Sequence, residues 1–248
     1  MAPSDPEDAF PLAVYFASDI HLRLDRPERG RRLARWVETL AAGDSLYLVG
    51  DVCDFWFASR QIRAGAGACQ GLSSLAAFTR RGGRLVILPG NHDLWLGPFY
   101  QTNLGAECVE EPHLVDVHGV RLLLVHGHRS GGRQPWKSGM ESRAFLAAFA
   151  KFPEGLASRL DRVLDRSNDL TRSADEDRLI GHFRVGARGT ADRADIAVFG
   201  HVHRPVDEPG PPRLIVLGGW HRGMSFLRVD ERGPEFVVES GSQHASVT

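Results

Sequence analysis

Residues 45–56 read SLYLVGDVCDFW: an apolar run, a glycine at 50, then aspartates at 51 and 54. A run this short, closed by glycine, reads as a buried strand rather than a helix, and its carboxylates fall where the strand gives way to a loop. The same pattern recurs four times. LAVYFASDIHL (12–22), RLVILPGNHDLW (84–95), RLLLVHGHR (121–129) and DIAVFGHVHRP (195–205) are all apolar runs ending in side chains able to do chemistry. Between the early runs the period changes. Residues 29–42 put Leu33, Trp36, Val37 and Leu40 on one helical face, and residues 71–81 do the same with Leu72, Leu75 and Phe78. Strands alternating with helices predict an α/β layered domain, in which strand-to-loop junctions gather at one edge.

The later sequence adds antiparallel strands. Residues 113–127 predict a hairpin turning near Gly119, and residues 213–240 two or three more strands. That is too much sheet for one open layer and favours two sheets flanked by helices. Between residues 129 and 190 the pattern turns helical, with twelve Arg and Lys against eight Asp and Glu. The chain is therefore expected to form a single domain over 1–248 with a helical, basic cap inserted at about 129–190, suited to an anionic substrate.

Bulk properties narrow the function. A formal charge of −1 excludes a generally basic nucleic-acid binder, so no nucleic-acid partner is expected. Three scattered cysteines give no disulfide framework, and the acidic opening MAPSDPEDAF lacks the basic and apolar regions of a secretory signal. No apolar run approaches the roughly 20 residues needed to cross a bilayer. A cytoplasmic protein is expected.

The five strand ends offer Asp19 and His21; Asp51 and Asp54; Asn91, His92 and Asp93; His126 and His128; His201 and His203. Carboxylates, imidazoles and an amide in this number are what adjacent divalent cations require. Read as caps and core histidines, they would demand five separate coincidences.

In order and spacing these blocks resemble the calcineurin-like metallophosphoesterase superfamily, with its D-x-H, GD-x-x-D, GNH-D/E, H and GH-x-H. The resemblance implies a four-layer α/β/β/α sandwich. It implies one metal held by Asp19, His21, Asp51 and His203, and a second by Asp51, Asn91, His126 and His201. Two divalent ions are expected, Mn²⁺ first, with Fe, Zn, Co or Mg as alternatives. His92 and Asp54 would be catalytic, His92 stabilising charge or protonating the leaving oxygen and Asp54 orienting its ring. Asn91, His92 and Arg129 would touch substrate, and Asp93 and His128 would support the ligands.

The flanks GDVCDFWF, GNHDLWLG, GHVHRP and LGGWHRG, with the helical insert, are similar to the UDP-2,3-diacylglucosamine hydrolases of lipid A synthesis. This narrower resemblance implies hydrolysis of a lipid-linked nucleotide diphosphate to UMP and a lipid 1-phosphate. It also implies an acyl-binding insert with an apolar stripe over 145–164 and peripheral contact with the inner leaflet. Two departures bear on substrate. GNHD stands where that family often has GNRD, and HGHR where it has HGD, so Arg129, Arg133 and Lys137 become candidates for the anion contacts. A metallophosphoesterase of other specificity is the alternative, and a non-catalytic scaffold with this fold is a third reading. Oligomeric state is left open by the sequence.

Overall fold

The computed structural model describes residues 12–24, 26–54, 67, 69–94, 96–130, 175–221 and 223–240. Arg133, Lys137, the 145–164 stripe and the C-terminal tail lie outside the described residues.

Eleven strands form two sheets among the described residues. The first contains β1 (Val14–Ala17), β2 (Ser45–Val49), β3 (Arg84–Leu88), β4 (Glu107–Cys108), β10 (Gly223–Asp230) and β11 (Gly233–Ser240), ordered β11-β10-β1-β2-β3-β4. The second contains β5 (His113–Val117), β6 (Val120–Val125), β7 (Ile196–Phe199), β8 (Val206–Glu208) and β9 (Arg213–Val216), ordered β5-β6-β7-β9-β8. The centre of each sheet is parallel: β1, β2, β3 and β4 in one, β6, β7 and β9 in the other. Antiparallel strands close both edges of the second sheet and the β11 edge of the first, whose other edge is the short parallel β4.

Side-chain alternation shows why the central runs are apolar throughout. On β2, Tyr47 and Val49 face the other sheet, while Leu46 and Leu48 face the helices. On β7, Ile196 and Val198 join the layer between the sheets, and Ala197 and Phe199 turn outward. Both faces are covered, so a period-2 polar pattern never appears.

Three helices cover the first sheet: α1 (Pro27–Glu38), α2 (Gln70–Arg80) and α3 (Gly97–Leu104). Pro27 opens α1 where a missing N–H costs nothing, and Leu33, Trp36 and Val37 form its buried stripe. The predicted helical stretches 29–42 and 71–81 thus correspond to α1 and α2, with α1 stopping four residues short at Glu38. Residues 175–188 form a further helix, α4, which lays Ile180, Phe183 and Ala187 on the outer face of the second sheet. Phe183 stacks on Phe199 with ring centroids 4.4 Å apart and planes 10° from parallel. The order helix, sheet, sheet, helix is the expected four-layer sandwich, and α4, inside the 129–190 stretch, provides its outer layer.

The hairpin also forms as expected. His118 and Gly119 both have positive φ, 51° and 80°, as a two-residue turn between twisted strands demands. One detail differs from expectation: β9 runs parallel to β7 instead of joining an antiparallel meander with β10. The chain leaves β9 and crosses to the other sheet, which places residues 217–221 beside the ends of β1 and β7.

Candidate metal centre

All five motifs open into one place. The backbone there is bent hard: Asp19, His21, Asp51 and His201 have φ of 53°, 49°, 53° and 65°, a region that L residues avoid. Hydrogen bonds between loops hold these bends. Asp19 N–H donates to Gly50 O at 3.1 Å, His21 N–H to Asp51 O at 2.9 Å, and His201 N–H to the Asp19 carboxylate at 2.8 Å. Arg29 of α1, itself buried, donates to His21 O at 2.9 Å.

Two glycines are there for space. A Cβ on Gly90 would lie 2.0 Å from Asp51 Oδ1, and one on Gly50 would lie 2.3 Å from His126 Nδ1. Neither loop could approach the other with any larger residue.

Asp51 sits at the centre. Its Oδ2 is 3.4 Å from His126 Nε2, 3.7 Å from His21 Nε2 and 4.0 Å from His92 Nε2, while Oδ1 accepts the His92 N–H at 2.9 Å. On one side Asp19 Oδ1 lies 3.5 Å from His203 Nε2 and 3.8 Å from His21 Nε2, and those two nitrogens are 3.2 Å apart. On the other, His126 Nε2 is 3.2 Å from Asn91 Oδ1, and a ring nitrogen of His201 falls within 4.8 Å of its partners on Asp51 and His126. Every sequence-predicted ligand is therefore in one cluster.

The donor set fits cations. Val49 O accepts from His126 Nδ1 at 2.9 Å, so this network puts the neutral ring's proton on Nδ1 and turns the Nε2 lone pair toward two oxygen acceptors. Among the described residues, buried Asp19 Oδ1 has no hydrogen-bond partner, and it faces two imidazoles. Lone pairs converging on a buried point call for positive charge between them.

Titration behaviour shows the same demand. Burial works against charge on His126, but Asp51 and Asp19 overcome it and push the ring up to about 10. Burial opposes ionisation of Asp51 too, and the surrounding imidazoles still hold it well below the usual carboxylate range. His201 goes the other way, pushed down to about 3 by burial and by the neighbouring His126 charge.

Beside the cluster stand the two predicted catalytic groups. His92 Nδ1 faces Asp54 Oδ1 at 3.8 Å, and Arg23 Nη1 donates to the other Asp54 oxygen at 3.4 Å. Burial would lower His92, but Asp51 and Asp54 raise it to about 9. Asp54 stays ionised despite burial because His92 and Arg23 oppose the penalty.

The supporting residues take clear places. Asp93 accepts from the N–H groups of Gly90, Asp51 and Val52 at 2.8, 3.3 and 2.8 Å and from Tyr100 OH at 2.9 Å, clamping two ligand loops together. His128 lies 3.4 Å from Glu111, whose second oxygen accepts the His126 N–H at 2.7 Å. Arg129 is exposed in the turn after His128.

Sequence reasoning missed Glu111, Arg23, Arg29 and His221. A lone glutamate or arginine carries no pattern, whereas His221 sat in the quoted flank LGGWHRG and gave a usable signal.

The calcineurin-like phosphoesterase profile matches residues 12–205, which carry all five motifs. The chain belongs to the calcineurin-like phosphoesterase family. It is a hydrolase of phosphorylated substrates, and the family implies divalent metal ions. It is similar to a protein of Nitrosococcus oceani named UDP-2,3-diacylglucosamine hydrolase, at 28% identity over 91% of this chain and 94% of that one. A protein of the same name from Porphyromonas gingivalis is 26% identical over 92% and 97% of the two chains. Among solved structures, an archaeal phosphodiesterase matches 91% of this chain and 99% of its own, with 13% identity and a TM-score of 0.45. No described helix is long and apolar enough to cross a membrane.

Proposed function

We propose that Asp19, His21, Asp51 and His203 hold one divalent cation and Asp51, Asn91, His126 and His201 a second, with Mn²⁺ as the working metal. The observation that carries this reading is Asp51, a buried carboxylate within 4.0 Å of imidazoles from three separate loops. Such cations supply Lewis-acid charge and lower the pKa of an attacking water.

The chain's own groups do the rest. Asn91 and His92, at the mouth of the β3 loop, contact phosphoryl oxygens. Asp54, fixed by Arg23, keeps the His92 ring turned so that it delivers its proton to the leaving oxygen as the P–O bond breaks. Arg129 adds positive charge at the rim.

The substrate is the pyrophosphate of UDP-2,3-diacylglucosamine or a similar lipid-linked nucleotide diphosphate, split to UMP and lipid 1-phosphate. Relatives bearing that name, matched over nearly their full length, support it. The chain works as one domain over 1–248, and within the basic stretch at about 129–190 the part that precedes α4 receives acyl chains and rests on the inner leaflet from the cytoplasm. The test is turnover of the UDP-lipid with Mn²⁺ followed by ³¹P NMR. UMP appearing in step with lipid 1-phosphate is expected; failure with this lipid while simple phosphodiesters are cleaved would reject the substrate and keep the chemistry.

A second reading, a phosphoesterase of other specificity, is favoured by one residue. His92 stands where an arginine would clamp an anion with two donors, and a single imidazole recognises phosphate differently. The same assay run with cyclic nucleotides, bis-aryl phosphates and monoesters decides between them.

A further inference from the structure

Beyond the ligands already named, the loop between β9 and β10 brings one more imidazole to the centre. Gly219 N–H donates to His203 O at 3.0 Å, and Trp220 N–H to Asp19 O at 3.1 Å. Trp220 itself is fully buried, its ring centroid 5.1 Å from that of Trp36, with its indole N–H on Ser225 O at 3.0 Å. Its carbonyl accepts from Arg32 of α1 at 2.5 Å. The next residue, His221, therefore leaves the loop from a fixed point, directly after two anchors that bind the backbone of His203 and Asp19.

Its ring lies 4.5 Å from the His203 ring and 5.4 Å from the His21 ring, centroid to centroid. The nitrogens that His21, His203 and His221 can offer all fall within 4.8 Å of one another. Two imidazoles bound to one ion at about 2.1 Å lie at most about 4.2 Å apart, so a small ring rotation completes a shared sphere.

We propose that His221 is a fifth protein ligand to the cation held by Asp19, His21, Asp51 and His203. This rests on the metal centre proposed above and makes its two positions unequal. One has three imidazoles and two carboxylates; the other has two imidazoles, one carboxylate and one amide. The imidazole-rich position favours Zn, Co or Fe over Mg and binds more tightly. The other keeps more of its sphere open, so it is where a substrate oxygen has room to bind.

The test is a Co²⁺ titration of chelator-treated full-length protein, read by calorimetry and by the visible bands of bound Co²⁺. Wild type is expected to bind in two steps. His221→Phe, which keeps ring volume and removes both donors, should weaken the tighter step tenfold or more, change its band intensity and leave the weaker step alone. Asn91→Ala should do the reverse. His221→Ala, measured beside it with circular dichroism on all variants, covers the case in which phenylalanine disturbs the loop. Two steps of wild-type affinity with an unchanged spectrum in folded His221 variants would overturn the inference while the two-ion centre stands. A wild type that takes up no Co²⁺ would overturn the centre itself.

Discussion

The two sheets bring different chemistry to the same spot. Loops after β1, β2 and β3 supply every carboxylate and the amide of the proposed ligand set, together with His21, whereas those after β6 and β7 supply imidazoles alone. Each side is oriented by the other: His126 donates to Val49 O on β2, and Asp19 accepts the His201 N–H. The lesson is that neither sheet holds a site. A carboxylate side without imidazoles is a cluster of repelling anions, and an imidazole side without carboxylates has nothing to raise its affinity for cations.

The largest effect should come from the residue reaching across that seam. Asp51→Ala is expected to abolish uptake of both cations and lower kcat by about 10³-fold or more, since several kcal/mol of charge stabilisation go with them. Retention of either ion, measured as metal content after dialysis, would show that the remaining ligands hold it without the shared carboxylate. Next is His92→Ala, with a loss of about 10² to 10⁴-fold in kcat and both ions retained. A fall in metal content would instead make His92 part of the binding set. Asp54→Asn acts through His92 and should cost about 10 to 100-fold; an Asp54→Asn, His92→Ala double variant no worse than His92→Ala alone would tie the two together.

Stability sharpens the comparison further. Cations that bind only when the sheets are together should fasten them, by about 2.7 kcal/mol for each ion at a hundredfold excess over its Kd. Chelation should lower Tm by roughly 5–10 °C for each ion removed, from about 2–4 °C per kcal/mol in a chain this size. An unchanged Tm would mean that apolar packing between the sheets carries the whole load.

The smallest effect concerns pH in the chelated protein. His201 in the fold sits at about 3, below the usual 6.5, so its contribution is full above about pH 6.5 and drains away as pH falls toward 3. His126 at about 10 does the opposite, contributing fully below about pH 6.5 and losing that contribution as pH rises through 10. Tm should therefore peak near neutrality without metal, and a Tm that climbs steadily from pH 7 to 9.5 would contradict the placement of His126 beside Asp51.

What could be read from the sequence follows from pattern length. The central strands announce themselves because both faces are buried, and the ligand motifs because glycines and polar groups interrupt apolar runs at fixed offsets. β4 pairs over only two residues and β8 has only three, too few to show a period. α3 spans eight residues with Phe99, Tyr100 and Leu104 buried, short of the repeated turns that reveal an apolar stripe. Glu111 matters solely because the fold carries it to His126 and His128. Tertiary placement of a single side chain leaves no trace in composition or spacing.

The left-handed bends at Asp19, His21, Asp51 and His201 have an evolutionary corollary. Each costs about 1–3 kcal/mol that glycine, and to a lesser degree asparagine, would recover. A library selected for heat resistance alone would drift toward those residues at these four positions, growing hardier as it went inert. Only a screen that also demands turnover would keep the four originals, and their survival under such a screen measures what the organism gives up in robustness to retain an enzyme.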